Sequence, residues 1–458
     1  MFKDERGLEL TAANADAVTH FDAMVSSYLG LRLDTGDHLK ALFGADSKMP
    51  MAHCVNGYFF KLFCVPALEA KAKDRLDSAR ALGADATDRE RAHIDALDFW
   101  CQGDIIGATK RWEDILLDYP RDVMALRLAH FTHFYLGNSD QMRDSIARVL
   151  PHWEESTPGY GFVQGFHAFG LEETGDYAAA EKFGRRAVEI NPEDIWSTHA
   201  VAHVYEMQGR NRDGVDWLSS HSQHWDGCNN FVYHAWWHLG LYHLELEQYD
   251  AVLDLYDNWF RHVESDDYLD MSNAIAMLWR LREQGVDVGT RWTELAEKSS
   301  VRIDDHLLAF IDAHFVMALA VDQRFDAANG LLASLPAQEA GTTEAGVYDD
   351  VGRPLCEAVV AYEKGAYRDC VELLAPVRYE IRRIGGSHAQ RDLFQRLLVS
   401  AALKAENYQF ARALLSERTA LNPNSVWNWK RSADALDGMG ALGAASQSRE
   451  TAAALLMN

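Results

Sequence analysis

At 458 residues the chain is long enough for two or three ordinary domains or for one extended repeat array. Apolar residues make up 48% and charged residues 25%, as in ordinary soluble globular proteins. The 69 acidic residues outnumber the 44 basic ones, and the resulting charge of −25 disfavours nucleic acid and anionic membrane surfaces as partners.

The N-terminal "MFKDERGLEL" is charged and has no apolar stretch of signal-peptide length. No run of 18 apolar residues occurs, so no spanning helix is predicted and the cytoplasm is the expected location. Cys54, Cys64, Cys101, Cys228, Cys356 and Cys370 are scattered without a C-x-x-C pair. That pattern argues against a disulfide framework or a zinc knuckle and suits a reducing compartment. Residues 1–88 read as a helical segment without a clear repeat frame, packing on or capping the array of residues 89–458.

From residue 89 onward, apolar helical patterns alternate with short Gly-Asp or Asn-Pro punctuation, and strand-like alternation is scarce. "QGDIIGATKRWEDILLDYP" places Gly103, Ile105, Ala108 and Pro120 at turn, core and closing positions. "GFHAFGLEETGDYAAAEKFGRRAVEINPED", residues 165–194, is the clearest case. A helix ends near Glu173, turns through Thr174, Gly175 and Asp176, and returns as a helix carrying Tyr177, Ala180 and Ala187. Small residues let the two helices approach, glycine takes the turn, and Pro192 cannot continue the second helix. Similar placements recur at Leu239, Gly240 and Tyr249, at Ala358, Gly365 and Tyr367, and at Tyr408, Ala411 and Pro423.

This pattern resembles the tetratricopeptide repeat, a 34-residue helix–turn–helix. Units begin near 89, 123, 161, 195, 233, 271, 309, 351, 392 and 426, the units near 271 and 309 being degenerate. The predicted fold is all-α: residues 89–458 form about ten hairpins in one continuous solenoid. Such units share a core by stacking, and ten in series are expected to curl into a superhelix with an enclosed concave chamber.

The stretch "WSTHAVAHVYEMQGR", residues 196–210, puts His199, His203 and Glu206 on one helix face. It is not H-E-x-x-H, because Ala200 follows His199. The repeat resemblance implies that positions 2, 5, 6, 9, 12 and 13 of each first helix face the chamber. Those positions hold Trp196, His199, His203, Glu206 and Met207 in one unit, and His234, Trp237, His238 and Glu245 in the next. Phe162, Phe166, Phe169, Glu172 and Glu173 occupy them in the unit at 161, Phe310 and His314 in the unit at 309. Trp427, Lys430, Arg431 and Asp434 occupy them in the last. Eleven of the 19 histidines fall between 130 and 243. His130, His133 and His167 fall on packing positions.

This wall admits three readings. His199, His203, His234 and His238 are capable of holding a divalent metal such as zinc, iron or nickel. His203 or His238 with Glu206 is a candidate acid–base pair, as is His314 beside Asp312. The third reading is a polar, water-filled lumen. "GGSHAQRD", Gly385 to Asp392, crowds Ser387, His388, Gln390, Arg391 and Asp392 at a helix start. It reads equally as a carboxylate-holding site and as an ordinary cap. No phosphate-binding or dinucleotide glycine motif and no G-x-S-x-G elbow occurs, which disfavours nucleotide or flavin cofactors and a standard serine hydrolase.

Taken in order, "MPMAHCVNGYFFKLF", "FHAFGLEETGDYAAAE", "HAVAHVYEMQGR", "YHAWWHLGLYHLE", "DAHFVMALA", "GGSHAQRDLFQRLL" and "LNPNSVWNW" resemble the tetratricopeptide-repeat protein 38 family over nearly the whole chain. The resemblance implies a soluble, all-helical protein with a deep polar-aromatic interior, and it implies no particular reaction. The first expectation is a binding protein. A small molecule or a short peptide end would sit against Trp196, His199, His234, Trp237, Phe166, His314, His388, Arg391, Asp392 and Arg431. The second is a hydrolase or lyase with His203 or His238 as base and Glu206 orienting it, with or without a metal. The third is an open scaffold for protein partners. The wall of His, Trp and Glu, in place of the Asn, Lys and Arg usual in peptide-binding grooves, favours a small molecule.

Overall fold

Helix ends follow the punctuation of the sequence. Asp176 caps the helix Tyr177–Ile190 by accepting from the Ala179 amide at 3.3 Å, and Gly175 before it takes φ +84°. Asp104 does the same for Ile105–Asp118, and Asn407 for Tyr408–Leu421. Each side-chain oxygen satisfies an amide that the first helical turn leaves open.

The computed structural model describes residues 1–337 and 341–457. The fold is all-α, built from antiparallel helical hairpins. Among the described residues, β structure is limited to a two-residue antiparallel pair, Phe2–Lys3 with Glu9–Leu10, and one isolated bridge. All six cysteines are free thiols. Among the described residues, no helix is long and apolar enough to cross a membrane.

The chain forms two compact units. The first comprises Met1–Val201, His221–Val232 and a segment ending at Gly346. Its hairpins include Asp88–Cys101 with Ile105–Asp118 and Tyr160–Glu173 with Tyr177–Ile190. Trp100, Trp112 and Tyr58 meet edge to face in its core. Next to them, buried Asp122 accepts from Arg89 at 2.6 Å and lies 3.0 Å from His93 Nε2. Burial alone would raise the Asp122 carboxyl; His93 and Arg89 override this and hold it far below the usual carboxylate range.

The second unit comprises Ala202–Ser220, Tyr233–Ala337 and Val347–Asn458. Tyr268–Glu283, Ala309–Val321 and His388–Lys404 bury side chains on almost every face. A helix apolar only on one stripe would leave a wet side. Away from their C-terminal ends these helices leave almost none, so the buried polar residues on them face packed protein or a cavity. The helix Asn211–His221 packs tightly onto the helix carrying His234 and His238, with Gly214 flat against the Tyr242 ring. Tyr242 in turn donates to the Ala202 carbonyl at 2.5 Å. A Cβ at Gly214 would overlap that ring. Gly214→Ala is therefore expected to destabilise the protein by about 1–3 kcal/mol, read as a lower urea midpoint. An unchanged midpoint would show that the ring moves aside freely.

Candidate functional site

A cavity of about 430 Å³ lies within the second unit. Glu206 reaches it from the helix Ile195–Met207, Leu241 and Glu245 from Phe231–Glu245, and Arg280 from Tyr268–Glu283. His388, Arg391, Asp392 and Arg396 come from the first turns of His388–Lys404, and Arg418 from Tyr408–Leu421. Arg378, Tyr379 and Arg382 complete one side, with Glu417. The lining thus carries six arginines against four carboxyl groups. In a chain of charge −25 that is a local reversal of sign.

The arginines are held by specific partners. Arg280, 1% exposed, donates to the carbonyls of Ala276 at 3.2 Å and Ala389 at 2.8 Å. Burial pulls it down to about 10, which leaves it charged at neutral pH. Asp392 receives Arg396 at 2.6 Å and Arg418 at 2.7 Å. Burial would raise Asp392, but Arg418, Arg396 and Arg280 hold it well below the usual carboxylate range. Glu245 accepts from Arg396 at 3.3 Å, from the Ser425 hydroxyl at 2.6 Å and from the Trp427 amide at 3.1 Å. The Trp427 ring lies under Arg396 and Arg418, at 4.7 and 5.1 Å. Arg391 donates to the Gly386 carbonyl and lies 3.4 Å from His388 Nδ1. Ser387 and Gln390 form a capping box, so the "GGSHAQRD" segment is both a cap and part of the cavity wall.

Behind Glu206 runs a chain of histidines. Glu206 Oε2 lies 3.0 Å from His238 Nδ1, and His238 Nε2 lies 3.2 Å from His234 Nε2. His234 Nδ1 meets the Asn273 amide at 3.1 Å. The His203 ring sits 4.4 Å from that of His238, and Trp237 stacks on His234 at 5.3 Å. His203, Trp237 and His238 are fully buried, while Glu206 is 20% exposed. Burial pushes the Glu206 carboxyl up to about 8, with Arg280 opposing. Burial, reinforced by Arg280, drops His238 to about 3. His203 and His234 fall well below their ordinary value for the same first reason, with neighbouring histidines adding to it. All three imidazoles are neutral at neutral pH.

Of the residues expected at a ligand site, the fold brings His203, Glu206, His234, Trp237 and His238 together, and lines the cavity with Glu206, His388, Arg391 and Asp392. Others go elsewhere. Phe166 and Trp196 belong to the first unit and pack in an aromatic cluster that includes Phe169, His199 and Phe231. There Phe166 and Trp196 hold the buried Arg127 guanidinium between their faces at 4.5 and 4.1 Å. His314 is wedged between Phe310 and Phe394, with Nδ1 donating to the Phe310 carbonyl at 2.7 Å. Arg431 pairs with Asp434 at 2.8 Å and Glu283 at 3.3 Å, and Lys430 pairs with Glu247. Neither they nor His314 line the cavity.

Asp312 pairs with His306 at 2.7 Å and with the Tyr348 hydroxyl at 2.7 Å, and so does not serve His314. His306 Nε2 lies 3.0 Å from the Ser334 hydroxyl, which completes a Ser–His–Asp line. Its surroundings are wrong for acyl transfer. Ser334 ends its helix and faces the carbonyls of Gly330, Leu331 and Ile303. A helix C-terminus repels the developing oxyanion that such chemistry must stabilise.

Sequence reasoning passed over Arg280 and Asn273, and a signal for them existed. Asp267 caps the helix starting at Tyr268. Counting from Tyr268 as position 1, Asn273 is position 6 and Arg280 position 13, both inward; a frame set at 271 hides them. Arg396 is position 5 of the unit at 392 and was legible by the same ruler.

No family model matches the chain. Among solved structures, it is similar to the human IFIT1 dimer with PPP-AAAA, at 10% identity over 98% of this chain and 96% of that one, TM-score 0.41. The human IFIT1 dimer with m7Gppp-AAAA matches at 12% identity over 98% and 92%, TM-score 0.37. The TPR domain of P58(IPK) matches at 14% identity over 80% and 92%, TM-score 0.23. Likeness this distant says nothing about ligand.

The Asp392 ion pairs have a pH signature. A carboxyl held low in the fold contributes stability above its unfolded value near 3.8, and loses it as pH falls toward the folded value. Asp392→Asn leaves Arg396 and Arg418 short of countercharge, at a cost of about 3 kcal/mol at pH 7, the low end for a buried pair because the site is partly wet. The deficit relative to the parent should shrink below pH 4 in urea titrations. A deficit independent of pH would show that the ion pairs contribute nothing.

Proposed function

We propose that the chain is a tetratricopeptide-type protein of the protein 38 family kind, and that the cavity of its second unit binds a small molecule bearing a carboxylate or phosphate. The observation that carries this is the excess of arginine at the cavity in an otherwise acidic chain. Guanidinium groups match the planar oxygens of carboxylates and phosphates two bonds at a time. The volume falls in the range of about 300–1,000 Å³ usual for small-ligand sites. A peptide C-terminus presents the same carboxylate, so a short peptide end belongs to the same reading.

A second reading, an enzyme, rests on Glu206. Its carboxyl lines the cavity and has His238 behind it at 3.0 Å. That arrangement suits proton transfer to or from a bound anion in hydrolysis or elimination.

Calorimetric titration with small dicarboxylates, phosphate esters and a short peptide as free acid and as C-terminal amide tests the binding reading. At least one acid should bind, and the amide should bind less than its free acid. Arg391→Met should weaken that affinity at least tenfold, while Arg431→Met, outside the cavity, should leave it unchanged. Equal losses in both variants would sink the assignment to this cavity. For the enzyme reading, Glu206→Gln should retain binding and abolish turnover of whatever acid is processed.

A further inference from the structure

We infer that His203, His234 and His238 form a binding site for one divalent transition-metal ion of zinc-like preference, with Glu206 and Asn273 as the groups that orient two of its ligands. The site is independent of anion binding in the neighbouring cavity.

Three observations lead there. First, the histidine ligand nitrogens lie within 4.8 Å of one another. The Nε2 atoms of His234 and His238 are 3.2 Å apart and face each other. Two imidazole nitrogens bound tetrahedrally to zinc at about 2.0–2.1 Å stand about 3.3 Å apart. The pair is already at ligand spacing.

Second, the opposite nitrogens are occupied in the manner of metal sites. Glu206 faces Nδ1 of His238, and Asn273 faces Nδ1 of His234. With Glu206 ionised, Nδ1–H of His238 is donated to its carboxylate and Nδ1–H of His234 to the Asn273 carbonyl oxygen, and both Nε2 lone pairs point at the same place. Carboxylate or amide partners behind ligating histidines fix the tautomer and raise ligand basicity in this way.

Third, the pocket favours neutral ligands. His203 and His238 are fully buried and His234 is nearly so, with Trp237 stacked against it. A proton competes poorly for such imidazoles, whereas a metal ion brings coordination bonds that offset its desolvation. Three protein nitrogens leave a fourth position for water or another donor.

The test uses the full chain, stripped with a chelator and then equilibrated with zinc chloride. After removal of free metal, elemental analysis should count one zinc per chain. His234→Ala and His238→Ala should lose it, and His130→Ala should keep it. Glu206→Gln should retain the stoichiometry with affinity lower by about 10–100-fold. Zinc absent from the parent protein, or retained equally by the His234 and His238 variants, overturns the site. Cobalt(II) in the parent protein gives a readout that needs no variant. Intense visible bands of a four-coordinate ion are expected, and a weak six-coordinate spectrum overturns the assignment. Anion titration of the stripped protein separates the two readings, since the cavity should bind its acid without metal.

Discussion

Helices buried on almost every face leave little water to solvate a charge in their middle turns, and this constraint organises the second unit. Arg280 sits 1% exposed on such a helix. An isolated guanidinium in that position is costly unless carbonyls and countercharges surround it. The carbonyls of Ala276 and Ala389 accept its hydrogen bonds, while Asp392, Arg396 and Arg418 form an alternating array nearby. The array is built around a cavity, so its positive excess is available to a ligand. The same excess closed over by protein would be a defect.

The constraint also explains the histidines. An imidazole is among the few polar groups that can be buried neutral and still donate and accept. Glu206, His238, His234 and Asn273 form an unbroken line in which each member can take either role. One end of the line, Glu206, lies at the cavity wall; the other is deep in the unit. In the proposed metal site the ion would take the place of the proton at the centre of this line, with the outer partners unchanged.

The fold class was legible because its signals are local. Gly175 at a turn, Asp176 at a cap and alanines at contact positions act within a few residues of themselves. The histidine cluster was legible in part, since His203, His234 and His238 fall at regular spacings on two clearly framed helices. Arg280 and Asn273 were hidden by a frame that began three residues late, at a helix whose cap, Asp267, lies in an acidic run. Trp196, Phe166 and His314 face inward by the same ruler yet are filled by packing. Phe166 and Trp196 close on Arg127, and His314 is wedged between phenylalanines. Spacing tells which face a residue occupies, and only the volumes of its neighbours tell whether that face is open.

A small acid is proposed to occupy the arginine-lined cavity. Native mass spectrometry of the freshly purified protein, beside Arg391→Met prepared identically, tests it directly. The expected result is an added mass that dissociates as an anionic organic molecule or phosphate ester and is depleted in the variant. A bare chain in both preparations, unchanged after incubation with cell-extract metabolites, would contradict it.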